Sequence, residues 1–183
     1  MGFLTPTATG EANVLHTYGM QQLAQIRTAA YGLSDDQIAA TPTASSLSIG
    51  GLLRHTGQVA VYWSTAAASA PQPPELPAEF GPEQTNEECV AAATSAAETL
   101  DYFDRCVAYA DGQLRQVTDL AAAVPVPPVP WVPADLKSWE ARWVLAHLIA
   151  EVARHAGHAD IIRETLDGKR SCELNDLAEN RPS

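Results

Sequence analysis

Positive charge is scarce in this sequence. Eleven Lys and Arg stand against 22 Asp and Glu, a net charge of −11 over 183 residues. A surface of that sign excludes nucleic acid and anionic membrane as expected partners, since both need a basic footprint. Long apolar runs are lacking too: none approaches the roughly 20 residues of a membrane span. Met1 to Gly10 has neither the basic start nor the apolar core of a secretory leader. Only three cysteines occur, Cys89, Cys106 and Cys172, widely spaced and without a CxxC pair. A disulfide framework is therefore not expected; free thiols in a reducing cytoplasmic compartment are. Strand-like alternation, internal repeats and a His-Glu-xx-His metalloprotease motif are also missing.

What remains is an Ala-rich, 46% hydrophobic chain with helical periodicity, long enough for one domain with a sizeable core. Four long helices are predicted. The first runs from Gly10 to Tyr31, with Val14, Tyr18, Leu23 and Ile26 inward, and Asp35 to Ala40 adds a short turn. The second starts near Leu47 behind Ser45 or Ser46 as N-cap, carries the stripe Leu52, His55, Val59 and Trp63, and ends before Pro71. Pro71 to Pro82 is an irregular, Pro-rich connector. The third spans Thr85 to Asp111, with Thr85 and Glu88 as a capping box and Gly112 as a stop. Val124 to Pro133 carries five prolines and Trp131, and reads as a long crossover loop. The fourth helix spans Ser138 to Leu166 and stops at Gly168; Lys169 to Ser183 reads as a polar, loosely held tail. The expected fold is all-α: one four-helix-bundle domain over residues 1–183 with one long Pro-rich crossover loop.

The fourth helix carries the most informative residues. At about 100° per residue, Val144, Leu148, Val152, Ala159, Ile162 and Leu166 share an apolar face, and Glu151 and His155 fall on it. A carboxylate facing a core is costly unless paired, and a divalent metal would engage both it and the imidazole. His158 lies nearer the edge of that face, as a supporting or alternate ligand, and His147 is roughly 100° away. Two donors from one turn leave a metal undersaturated. His55, on the stripe of the second helix, is the candidate third ligand, leaving positions open to water or substrate. Against this stands a plainer reading, in which His55 is a hydrogen-bonded core residue. His16 has no acidic or imidazole neighbour at helical spacing and reads as structural or exposed.

Two stretches carry a family resemblance. Leu47-Ser-Ile-Gly-Gly-Leu-Leu-Arg-His-Thr-Gly-Gln-Val-Ala-Val-Tyr-Trp63 resembles the second helix of DinB-like proteins. In the last helix, Glu151-Val-Ala-Arg-His-Ala-Gly-His-Ala-Asp160, followed by Arg163-Glu-Thr-Leu-Asp-Gly168, resembles the DUF664 branch of that superfamily. The resemblance implies a four-helix bundle holding a divalent metal, zinc first and nickel second, on His55, Glu151 and His155. Where many relatives have a second histidine, this chain has Glu151, a harder and more anionic donor. Related proteins include the metal domain of mycothiol-dependent maleylpyruvate isomerase and S-transferases that attach mycothiol or bacillithiol to electrophiles. The implied chemistry is a low-molecular-weight thiol such as mycothiol, activated by the metal, attacking a small-molecule electrophile, with His158 or a water moving the proton. A homodimer is among the implied properties.

The chain departs from the pattern in two places. It ends soon after the fourth helix, where the isomerase has a further domain, so isomerase activity is not expected. Ala60 stands where relatives often carry a Glu before the Trp. Asp160 and Arg163 match the branch and read as a structural salt bridge. Trp63, Trp131 and Trp139 either wall a substrate pocket or fill core and loop gaps. Beside the transferase stand two non-enzymatic readings: a structural metal that staples the helices, or a small-ligand or stress-response module that anchors its ligand on the metal.

Overall fold

The computed structural model describes residues 4–80, 94–127, 129–130, 132–133 and 135–179. Its helices are α1 (Glu11–Ala29), α2 (Asp35–Ala39), α3 (Ile49–Ser69), α4 (Ala96–Leu114), α5 (Ala141–Asp167) and α6 (Ser171–Glu179). Two short strands, β1 (Ala123–Pro125) and β2 (Ser138–Glu140), pair antiparallel, with Val124 opposite Trp139.

Local chemistry sets the boundaries. Ser48 caps α3 by accepting from the Gly51 amide, so the cap lies two to three residues beyond Ser45 and Ser46. Ser95 and Glu98 form a reciprocal capping box at the start of α4; the expected box at Thr85 and Glu88 lies outside the described residues. α4 continues through Gly112 to Leu114 because nothing there requires a positive φ. Gly168 stops α5 with φ 78°, a conformation that favours glycine, and its amide bonds the Glu164 carbonyl.

The long helices form an all-α four-helix bundle, and their cross-contacts fix its sense. Arg142 meets Glu11 and Arg163 reaches the Ala29 carbonyl, so α1 and α5 run parallel. His16 meets Asp111 and Arg27 meets Asp104, so α1 and α4 run antiparallel. Trp63 packs on Trp139 while His55 packs on His155, so α3 and α5 are antiparallel. The order is up, down, down, up. The two consecutive helices that point the same way are α3 and α4, so the crossover falls between them in the chain. The Pro-rich stretch at Val124 to Pro133 is not the crossover: it starts in β1, returns through β2, and joins two antiparallel helices.

The core is built from Leu23, Ile26, Leu52, Leu53, Phe103, Val144, Leu148, Val152 and Ile162, all at most 2% exposed. Tyr18, expected inward, is 47% exposed. After Gly168, Ser171–Glu179 is not a loose tail. α6 buries Leu174, and Asn175 exchanges hydrogen bonds with Gln25, which docks α6 on α1. A polar composition hid one buried leucine and one satisfied amide.

Candidate metal centre

His55 lies in the second turn of α3 and Glu151 and His155 lie one turn apart in the middle of α5, so the antiparallel crossing of the two helices brings them together. Both histidines are 8% exposed and Glu151 is half-buried. Glu151 Oε1 is 3.1 Å from His155 Nε2 and 3.6 Å from His55 Nε2. The imidazoles meet edge to face, with centroids 4.7 Å apart. One donor atom from each residue lies within 4.8 Å of the others.

The donor set fits a divalent cation. Bonds of about 2.0–2.1 Å in tetrahedral array put neighbouring donors about 3.3 Å apart, and the observed 3.1 and 3.6 Å bracket that spacing. His55 Nδ1 is buried without a hydrogen-bond partner among the described residues. Such burial costs about 1–3 kcal/mol when nothing offsets it. Protonation states agree. Burial pushes the Glu151 carboxyl up, but the hydrogen bond from His155, the Arg154 guanidinium and the nearby His55 imidazole outweigh it and hold the group below the usual carboxylate range. Burial, then the neighbouring His55, lowers His155 against the pull of Glu151. An ionised carboxylate beside a neutral imidazole is what metal ligation requires.

The remaining histidines have other partners. His158 Nδ1 lies 3.4 Å from His155 Nδ1, the nitrogen turned away from Glu151. It therefore contacts the back of His155 and stands outside the three-donor cluster. His147 stacks on Trp143 at 5.0 Å and meets Trp63 edge-on, and burial lowers its pKa. Neither closes the donor set into a four-ligand cage among the described residues. His16 Nε2 donates to Asp111 Oδ1 at 2.7 Å, a partner on another helix that spacing along α1 could not reveal.

The expected Asp160–Arg163 pair does not form. Arg163 is 2% exposed and chelates Asp167 through Nε and Nη2 at 3.0 Å each, while Nη1 donates to the carbonyls of Ala29 and Tyr31. The guanidinium lies towards the C-terminal end of α5, where those carbonyls are. Two features at the site escaped sequence reasoning. Arg154 reaches Glu151 Oε2 at 3.4 Å from the solvent side. Trp143 links Trp139 and His147 into a row of parallel rings, and the spacing of four along 139, 143, 147, 151 and 155 was the available signal. Trp131 lies outside the described residues.

Comparison with known proteins agrees with this fold. A family model described as mycothiol-S-transferase matches residues 14–168, a span containing all three donors. Among solved structures, a conserved protein from Enterococcus faecalis is similar in fold, with a TM-score of 0.62 at 16% identity, covering 88% of this chain and 100% of that one. No curated protein matches.

Proposed function

The chain belongs to the mycothiol-S-transferase family, and from that premise we propose that it joins a low-molecular-weight thiol, mycothiol or a close analogue, to an electrophilic small molecule at His55, Glu151 and His155. The observation that carries this reading is the convergence of two imidazole nitrogens and one carboxylate oxygen, from two helices, within 4.8 Å of one another.

His55 and His155 would offer Nε2 and Glu151 would offer Oε1 to a divalent cation, zinc in preference to nickel for a donor set of this kind. When bound, that cation lowers the pKa of a thiol beside it. The chain's own residues do the rest. Glu151 contributes the negative charge that holds a dication in a half-buried site. With a cation on Nε2, the single proton of a neutral His155 ring would sit on Nδ1, 3.4 Å from His158 Nδ1, which is placed to accept it. His158 therefore acts on the ligand imidazole, and the thiol proton leaves to solvent. In the overall reaction a carbon–sulfur bond forms, the bond from that carbon to its leaving group breaks, and the leaving group departs with the electron pair. The domain over residues 1–183 would carry out this reaction in the cytosol, where such thiols are reduced.

The test is a transfer assay with mycothiol and monobromobimane. Zinc-loaded protein is expected to accelerate thioether formation; a chelator abolishes the acceleration, zinc restores it, and His155→Ala lacks it. An acceleration indifferent to chelator and to His155→Ala rules the proposal out. A second reading has one observation in its favour: the trio ties α3 to α5, so a metal there would staple the bundle. Protein that takes up zinc and gains stability, yet shows no transfer, would establish that reading instead.

A further inference from the structure

Three of the four tryptophans gather at one end of the bundle. Trp139 and Trp143 stack at 4.6 Å and 6°, and Trp143 stacks in turn on His147 at 7°. Trp63 of α3 packs across this row at 66° to Trp139 and 68° to Trp143, so the row already accepts one aromatic ring in a T-shaped arrangement on its α3 side. On the α1 side the row borders an open groove of about 510 Å³, walled by Trp139, Trp143, Leu15 and Ala146. Trp143 remains 43% exposed there. Both faces of its indole are occupied, so it presents an edge to the groove.

We propose that this groove binds an uncharged, planar aromatic group of a small molecule, seated across the edges of Trp139 and Trp143. The volume lies within the range of small-ligand sites. Indole edges carry positive partial charge and attract the electron-rich face of another ring, the geometry that Trp63 adopts on the other flank. The rim selects against anions. Arg142, the one cation lining the groove among the described residues, is held by two carboxylates, Glu11 at 2.9 Å and Glu140 at 2.8 Å, leaving a net negative rim. Trp143 lies eight residues before Glu151 on α5, about 12 Å along the helix. A group seated in the groove is thus the remote, non-reacting end of a substrate, contributing binding energy to a reaction elsewhere. This last assignment rests on the transferase reading; the binding site itself does not.

The experiment uses the full chain treated with chelator, without thiol, and two matched probes, neutral 2-naphthol and anionic 2-naphthoate. Binding is read from the four indole N–H signals in a proton–nitrogen correlation spectrum. The expected result is that 2-naphthol shifts the Trp139 and Trp143 signals and binds at least threefold more tightly than 2-naphthoate, the change expected when a net negative rim opposes one extra negative charge. Trp143→Leu should weaken 2-naphthol by about three- to tenfold, the range of one aromatic contact. If Trp143→Leu misfolds, Ala146→Glu serves as the second variant, because Ala146 is exposed and the added side chain fills the groove without disturbing the core. Absence of shifts, equal or tighter binding of 2-naphthoate, or binding unchanged in Ala146→Glu overturns the proposal. Because no metal or thiol is present, probe binding without transferase activity would sink the transferase reading alone, and activity without probe binding would sink the groove alone.

Discussion

Two ionisable side chains behave unlike their neighbours, and each yields a test at the residue scale. Asp160 is half-buried, and burial, then the nearby Glu164 carboxylate, pushes its pKa up to about 6. The folded state therefore binds a proton that the unfolded chain has released between about pH 4 and pH 6, so stability falls as pH rises through that window. Asp160→Asn is expected to remove that fall and to stabilise the protein above pH 7 by on the order of 1 kcal/mol, measured by urea denaturation across pH 4 to 8. Asp167 has the opposite sign. Burial raises it, but hydrogen bonds from Arg163 and Lys169 dominate and hold it at about 2, so its contribution is complete above about pH 4 and is lost as pH falls towards 2. Arg163→Met would remove the guanidinium's bonds to Asp167 and to the Ala29 and Tyr31 carbonyls, and is expected to cost about 3–5 kcal/mol in the same measurement. The spacing of Arg163 and Asp167 was readable in the sequence. That the guanidinium would choose Asp167 over Asp160 depended on the carbonyls at the end of α1, which lie 132 and 134 residues away.

Among the elements, α3 packs on α4 at Gly57. A Cβ there would lie 3.2 Å from both Cβ and Sγ of Cys106 and 3.5 Å from Phe103. The Cys106 Cβ is fixed by its helix backbone and yields little. Gly57→Ala gains about 1 kcal/mol of helix propensity but overpacks the contact at a cost of about 1–3 kcal/mol. Net destabilisation is expected, seen as a lower thermal midpoint; a raised midpoint would show that α4 moves freely. At α6, Leu174 is fully buried, and Leu174→Ala is expected to cost about 2–4 kcal/mol. The four long helices were legible from their apolar periodicity, but several of their ends were not: the Gly168 stop was placed correctly, while α3 begins behind Ser48 and α4 behind Ser95, with Gly112 inside it. α6 was not legible, because nine residues with a single buried leucine have no periodic signal. The site helices were the most legible of all, since an inward carboxylate and an inward imidazole one turn apart contradict an apolar face. The aromatic row was missed because Trp143 is exposed and Trp139 lies in a strand before α5 begins.

Across the whole molecule, sense and topology decide what the sequence could not. Helix count and order were readable, but the parallel α1–α5 and antiparallel α3–α5 pairings place His55 beside Glu151 and His155 and set Trp63 against Trp139. Those pairings arise from packing between residues far apart in the chain, such as Glu11 with Arg142 and His55 with His155, beyond the reach of local pattern. A ligand that binds only the folded arrangement stabilises it. Zinc at about one hundred times its dissociation constant is therefore expected to add about 2.7 kcal/mol to the stability of chelator-treated protein. The most direct test of the central claim, that one divalent cation is held jointly by α3 and α5, is the zinc content of dialysed protein by elemental analysis, for the natural chain and for His55→Ala. The account predicts one zinc per chain in the first and close to none in the second, with the helical circular dichroism of the two unchanged; one zinc per chain in folded His55→Ala would contradict it.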